Sequence, residues 1–235
     1  MKKILLLHGW NYRNYSNLTD QKDAWNNRKD FVSLLSKYFE VYKINFPGFC
    51  GEKEPKNAWD LEDYAKYVND YLNKNKINPD YILGYSFGGA VAIMYNRLYD
   101  NDQKLILVSP AISRNYKNSK KFIKTPSILN PIRNFIRDFY LIHFVKNNYM
   151  LYGTKFLRLS YQNIVRRDLI KDVNNINPSN LLIIYGEKDD MVKPQYVINN
   201  LPVLFRERII VIDDGGHNIG KTHYKKVIDI IKKNS

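Results

Sequence analysis

The sequence predicts an α/β domain with a mostly parallel, roughly six-stranded sheet and helices on both faces. Short runs rich in Ile, Leu, Val and Tyr recur along the chain and are apolar on both faces, as strands buried within a parallel sheet are. Longer stretches with helical periodicity separate most of these runs, as the crossovers between parallel strands require. At 235 residues the chain is long enough for one domain with a full core.

The candidate strands and helices alternate over most of the chain. Strands are predicted at residues 3–7, 41–45, 81–83, 105–108, 181–185 and 208–212. The clearest helix begins after Asp60, a residue type that caps helix N-termini. Its apolar positions follow the spacing of a helix packed on a core: Leu61, Tyr64, Ala65, Val68, Tyr71 and Leu72. Further helices are predicted at residues 87–99 and 221–231.

The alternation of strands and helices stops between residues 111 and 180. Helical periodicity recurs there, most clearly at residues 132–144, but no run resembles a strand. A long insertion between two sheet strands is typical of a lid over a binding site. We therefore predict a helical cap at 111–180, inserted into a core formed by 1–110 and 181–235.

The segment Gly84-Tyr85-Ser86-Phe87-Gly88 carries the strongest chemical signal. It has the pattern G-x-S-x-G between a predicted buried strand and a predicted helix, which is the context that a nucleophilic serine on a tight turn requires. The glycines allow the strand and the helix to cross closely. Ser86 is therefore the candidate nucleophile.

Other polar side chains follow predicted strands. His217 comes after the last strand and two glycines, where it could reach Ser86 and act as a general base. A carboxylate is then needed to hold the other imidazole nitrogen, and Asp189 and Asp190 both lie just beyond the strand at 181–185. In α/β folds with a G-x-S-x-G turn, the nucleophile, the acid and the histidine follow one another along the chain in this order. His8, after the first strand, is expected to have a structural role.

These segments together resemble the α/β-hydrolase superfamily. The match covers the whole chain except the predicted cap, and the five segments occur in the family's order. They are His8-Gly9-Trp10, Phe46-Pro47-Gly48-Phe49, Gly84-Tyr85-Ser86-Phe87-Gly88-Gly89, Gly186-Glu187-Lys188-Asp189-Asp190 and Gly215-Gly216-His217-Asn218. The first predicted strand corresponds to the family's third, so the chain lacks the two antiparallel strands that open larger members.

The resemblance implies a role for each site residue. Asp189 stands at the position of the family's acid, with Asp190 as the alternative. The backbone N–H groups of Trp10 and Phe87 would form the oxyanion hole. The family's chemistry needs no cofactor, and no His, Cys or carboxylate cluster in the sequence has metal-ligand spacing.

The expected activity is that of a serine hydrolase cleaving carboxylic esters through an acyl-enzyme. The same triad of side chains serves hydrolysis of lipids, thioesters, aminoacyl amides, peptides and carbon–carbon bonds, so these alternatives stay open. A hydrolase-fold binding protein without catalysis is the opposed alternative. The expected partner is a small-molecule acyl substrate.

Charge raises a second question about partners. The net charge is +14, and residues 114–168 hold twelve Lys or Arg and two Asp, a local net charge of +10. No zinc-finger spacing, RNP motif or basic zipper accompanies the charge, which disfavours a nucleic acid. Compositional bias with solvated lysines is the simpler interpretation. Binding of an anionic lipid or membrane surface through the basic, aromatic-rich cap is the alternative.

Cysteine content and hydropathy bear on the compartment. Cys50 is the single cysteine, which excludes an internal disulfide and suits a reducing compartment; it is expected to be an unreactive loop thiol. The apolar run at the N-terminus stops after four residues, and no stretch approaches the roughly 18 apolar residues of a membrane span. A soluble, cytoplasmic protein is expected.

Overall fold

A computed structural model of the chain describes residues 1–99, 102–113, 147–165 and 167–235. Six strands form one sheet in the order β2-β1-β3-β4-β5-β6, and every pairing between neighbours is parallel. The strands are β1 (Lys3–Leu7), β2 (Glu40–Ile44), β3 (Tyr81–Tyr85), β4 (Lys104–Val108), β5 (Leu181–Gly186) and β6 (Ile209–Ile212). The predicted α/β class and the parallel six-stranded sheet are confirmed.

The strand β3 is longer than its sequence pattern suggests. The apolar run ends at Leu83, and a glycine is unfavourable within a strand. Nevertheless Gly84 pairs with Leu7 of β1, and Tyr85 pairs with Val108 of β4. The neighbouring strands therefore extend β3 by two residues, up to the residue that precedes Ser86.

The predicted helices form, with one difference at the C-terminus. The helices before β4 are α1 (Lys29–Leu35), α2 (Leu61–Asn75) and α3 (Phe87–Tyr99). Asp60 caps α2 by accepting from the Asp63 N–H, and the Asp63 carboxylate accepts in return from the Asp60 N–H. The single helix predicted at 221–231 is instead two helices, α9 (Ile219–Thr222) and α10 (Tyr224–Lys233), because the chain leaves helical geometry at His223.

The described residues between 111 and 180 include three α-helices and no strand. These helices are α4 (Asn148–Leu151), α5 (Lys155–Ile164) and α6 (Ile170–Asn174), and α7 (Pro194–Asn200) and α8 (Val203–Arg206) follow β5. The predicted periodicity at 132–144 lies outside the described residues. Contacts with the loop before α2 hold α5 in place: the Trp59 N–H donates to Ser160 Oγ at 2.8 Å, and Thr154 donates to Glu54 at 2.7 Å.

The sheet separates two hydrophobic cores. Tyr85 contributes to the core on the side of α1 and α10, whereas Phe87 contributes to the core on the side of α2 and α3. Ser86 lies between these two residues, at the end of a central strand. Among the described residues, no helix is long and apolar enough to cross a bilayer.

Candidate active site

Ser86 lies on a strained turn between β3 and α3. Its φ of 52° is in the left-handed region, which a residue with a side chain seldom adopts. The Ser86 N–H donates to the Val108 carbonyl at 2.9 Å, so the turn is fixed to β4. Because the backbone turns sharply here, the Ser86 hydroxyl is presented above the C-terminal edge of the sheet.

Glycines make this turn sterically feasible. A Cβ atom on Gly84 would lie 2.5 Å from the Gly88 carbonyl oxygen, and one on Gly88 would lie 2.1 Å from the Leu7 carbonyl oxygen. Side chains at these positions would push α3 away from β3 and β1. The G-x-S-x-G pattern is therefore explained by backbone packing on either side of the serine.

His217 joins Ser86 to Asp189. The imidazole Nε2 is 3.0 Å from Ser86 Oγ, and Nδ1 is 2.8 Å from Asp189 Oδ2. A carboxylate can only accept, so Nδ1 carries the proton and Nε2 is left with a lone pair that faces the serine hydroxyl. The structure thus brings together three side chains that are separated by up to 131 residues in the sequence.

Asp189 is the carboxylate that meets the imidazole. Its side chain is fully buried, and its second oxygen accepts from the N–H groups of Met191 and Val192, each at 3.0 Å. Asp190, the alternative considered from the sequence, is exposed to solvent. The two backbone donors therefore hold the Asp189 carboxylate in a buried position beside the imidazole.

The loop that carries His217 is held by a tyrosine and by a close contact between two glycines. The Tyr85 hydroxyl donates to the His217 carbonyl, so the residue before the serine fixes the backbone of the histidine. A Cβ atom on Gly186 would lie 2.2 Å from the Gly215 carbonyl oxygen, which shows how closely the loops after β5 and β6 approach. Tyr85 occupies a variable position of the G-x-S-x-G pattern, and only its tertiary contact distinguishes it.

The predicted oxyanion-hole residues lie on the same cavity as the serine. The cavity has a volume of about 760 Å³ and is lined by Trp10, Ser86, Phe87 and His217 among others. The rings of Trp10 and Phe87 are 5.1 Å apart. In the described part of the chain, neither backbone N–H donates to another backbone group.

His8 is structural in its contacts, as predicted. It is 2% exposed, its Nδ1–H donates to the Gly9 carbonyl at 2.9 Å, and its Nε2 accepts from the Phe46 N–H at 3.0 Å. Burial lowers the pKa of His8 to about 4, so the neutral ring persists at neutral pH.

Cys50 shares the backbone geometry of the serine without its partners. Its φ is also 52°, yet its side chain is buried, and burial raises the pKa of its thiol to about 11. A thiol that stays protonated is a poor nucleophile. Across the ranges that the structure describes, no group of three or more His, Cys, Asp or Glu residues could hold a metal ion.

Comparison with known proteins agrees with this architecture. A family model described as "Alpha/beta hydrolase family" matches residues 4–230. The protein named "Putative esterase/lipase 2" of Mycoplasma genitalium is 30% identical over 95 residues, which cover 40% of this chain and 35% of that protein. Human monoacylglycerol lipase ABHD6 is 27% identical over 125 residues, or 52% of this chain and 34% of the lipase. The aligned part thus spans about a third of each relative.

Solved structures show the same fold at lower identity. The meta-cleavage product hydrolase CumD of Pseudomonas fluorescens superposes with a TM-score of 0.65 at 18% identity, covering 100% of this chain and 90% of CumD. An esterase from Exiguobacterium antarcticum gives a TM-score of 0.62 at 16% identity, covering 99% and 91% of the two chains. With the family model matching almost its entire length, the chain belongs to the α/β-hydrolase family and has the fold of a hydrolase.

Proposed function

We propose that this protein cleaves carboxylic esters through an acyl-enzyme, with Ser86 as the nucleophile, His217 as the general base and acid, and Asp189 as the orienting carboxylate. The observation that carries the proposal is the position of the His217 imidazole, within hydrogen-bonding distance of both Ser86 Oγ and the buried Asp189 carboxylate. That arrangement lets one ring accept a proton from the hydroxyl while its other nitrogen stays fixed.

In the first half of the reaction, Ser86 Oγ attacks the ester carbonyl carbon and His217 Nε2 takes the hydroxyl proton. The carbonyl oxygen becomes negatively charged, and the N–H groups of Trp10 and Phe87 would donate to it. Losing one such donor typically raises the barrier by about 2.7–4 kcal/mol. The tetrahedral intermediate then breaks its bond to the alkoxy oxygen, which receives the proton from His217 and leaves as the alcohol.

In the second half, water attacks the acyl-enzyme. His217 Nε2 takes a proton from the water, whose oxygen bonds to the acyl carbon, and then returns the proton to Ser86 Oγ as the serine–acyl bond breaks. One ester and one water thus give one acid and one alcohol. Asp189 stabilises the imidazolium in both halves, because its carboxylate stays paired with Nδ1–H.

An ester is favoured as the substrate by the cavity wall and by the relatives. Aromatic rings line the cavity beside the serine: Trp10, Phe87, Tyr149 and Tyr161. The Trp10 ring contacts the Tyr161 ring at 5.5 Å, and Tyr161 stacks on Tyr149 at 5.2 Å. Such a wall suits an apolar acyl or alcohol group. The names of the curated relatives, an esterase/lipase and a monoacylglycerol lipase, agree with an ester.

The proposal is tested by labelling with a fluorophosphonate, which reacts with activated serines. The wild-type protein and a Ser36→Ala control, altered at an exposed serine after α1, should both be labelled. The Ser86→Ala variant should not be labelled and should hydrolyse no para-nitrophenyl ester. Folded wild-type protein that resists the probe would instead indicate a binding protein. Faster cleavage of aminoacyl anilides than of any ester in an acyl-chain series would replace the ester by an amide.

A further inference from the structure

The described residues that line the cavity of Ser86 include cations and no carboxylate. The cations are Arg13, Arg28, Arg167 and Lys221. Arg167 is already paired, since its guanidinium lies 2.6 Å from the Glu62 carboxylate. Arg28 has no carboxylate partner among the residues that the structure describes. An unneutralised guanidinium on the wall of a candidate active site calls for a chemical explanation.

Arg28 contacts an aromatic ring and two amides rather than a carboxylate of the described residues. Its guanidinium lies 4.0 Å from the centre of the Tyr85 ring, a cation–π contact. Nη2 donates to Asn218 Oδ1 at 2.9 Å and Nη1 to Asn27 Oδ1 at 3.0 Å, while the buried Nε–H has no acceptor. A guanidinium has five N–H donors. Two of them are donated to amides and the Nε–H is buried, so at most two N–H groups, both on the Nη atoms, remain for a ligand.

The position of Arg28 relative to Ser86 follows from the two residues that flank the serine. Tyr85, which supports Arg28, lies in the core on one face of the sheet, and Phe87, which contacts Trp10, lies in the core on the other. Ser86 therefore lies between a residue that contacts Arg28 and a residue that contacts Trp10, and both Arg28 and Trp10 line the cavity. A substrate spanning the serine would meet both.

We propose that Arg28 recognises an anionic group, a carboxylate or a phosphate, carried by the ester substrate. The inference rests on the proposed esterase function and specifies its substrate class: an ester with an apolar part on one side of the scissile bond and an anion on the other. A planar guanidinium with free donors pairs well with either anion. Preorganisation by Tyr85, Asn27 and Asn218 lowers the entropy cost of that pairing.

The test compares esters that carry one ionised group with esters that carry none. The half-ester of octanedioic acid with para-nitrophenol carries a carboxylate on the acyl side, and its methyl ester is the neutral match. The octanoyl ester of para-hydroxybenzoate carries a carboxylate on the leaving group, and the octanoyl ester of para-hydroxyphenyl phosphate carries a phosphate there. The octanoyl ester of methyl para-hydroxybenzoate is the neutral match. The readout is the ratio of kcat/KM between the charged and the neutral ester.

We expect one of these arms to give a ratio of about ten in the wild type, equivalent to about 1.4 kcal/mol. Arg28→Gln should lower that ratio to about one, and Arg28→Lys should retain part of it because the charge remains. Lys29→Gln, which removes a neighbouring exposed charge that does not line the cavity, should leave the ratio at the wild-type value. Ratios of one or below in every arm, or an unchanged ratio in Arg28→Gln, would overturn the proposal.

A binding measurement separates this inference from the proposed function. Ser86→Ala protein cannot turn over the esters, so calorimetry can compare its affinity for each charged and neutral ester with that of the Ser86→Ala, Arg28→Gln double variant. If Ser86→Ala binds a charged ester more tightly than its neutral match, and the double variant loses this preference, the anion site is supported even if no ester is cleaved. Hydrolysis of neutral esters without any preference for an anion would refute the proposed role of Arg28 and leave the proposed esterase function intact.

Discussion

The loops after β1 and β6 each bring a histidine to the same edge of the sheet, with opposite results. Both ring nitrogens of His8 bond to backbone groups, and the ring is buried. Both ring nitrogens of His217 bond to side chains, Asp189 and Ser86, and the ring borders the cavity. Backbone partners cannot exchange protons at neutral pH, whereas a hydroxyl and a carboxylate can support proton transfer. The partners, rather than the residue type, distinguish a structural from a candidate catalytic histidine.

The largest effect is expected from replacing His217. His217→Ala removes the proposed base and should lower kcat toward para-nitrophenyl esters by about 10⁴- to 10⁶-fold. The fold should persist, because the buried Asp189 carboxylate keeps its two backbone donors when the imidazole is removed. Steady-state kinetics with circular dichroism measures both. If His217→Ala kept wild-type activity while folded, the two loops would not differ in the way proposed.

Asp189→Asn, on the loop after β5, tests the partner of the histidine on the β6 loop. An amide in place of the carboxylate favours the wrong tautomer of His217, so kcat should fall by about 10³- to 10⁴-fold. Asp190→Asn, altered at the exposed neighbour, is the matched control and should stay within about twofold of the wild type. A larger loss from the control than from Asp189→Asn would reverse the assignment of the acid.

In the β1 loop, His8 should affect the pH dependence of folding stability rather than catalysis. The folded-state pKa of His8 is lowered to about 4 from an ordinary 6.5, so between these values the unfolded chain binds more protons. The contribution of His8 to the free energy of unfolding is therefore fully present above pH 6.5. It falls by roughly 3 kcal/mol as the pH is lowered toward 4 and below. Urea unfolding of wild type and His8→Gln at several pH values isolates this contribution, because other groups titrate in both proteins. Parallel pH curves for the two proteins would contradict it.

A smaller effect is expected where the β5 and β6 loops touch. Gly186→Ala would place a Cβ atom 2.2 Å from the Gly215 carbonyl, so the His217 loop must shift. Overpacking of this kind typically costs about 1–3 kcal/mol. Gly216→Ala, where the nearest atom would be 3.9 Å away, is the control. Thermal unfolding measures stability, and the rate of fluorophosphonate labelling measures the site; equal effects of both variants would show that the contact does not position the loop.

Local patterns were enough to predict much of the sheet and the turn. Apolar runs identified all six strands, and the capping residue Asp60 located the start of α2. The split between α9 and α10 was missed because the apolar periodicity continues across His223. The break is visible only in the backbone of His223, which is not helical. The end of β3 was placed too early because pairing with β1 and β4 outweighs the weak strand preference of Gly84.

The sequence by itself determined the fold class and the residue types of the candidate site, because a buried parallel sheet and a close strand–helix crossing restrict which residues can occur at each position. The tertiary structure decided which side chains meet. Whether Asp189 or Asp190 faces His217 depends on the direction of a loop, and the placement of Arg28 against Tyr85 joins the residue before α1 to the last residue of β3. Such contacts leave no local pattern, since each residue contributes only one side of a pair that folding brings together.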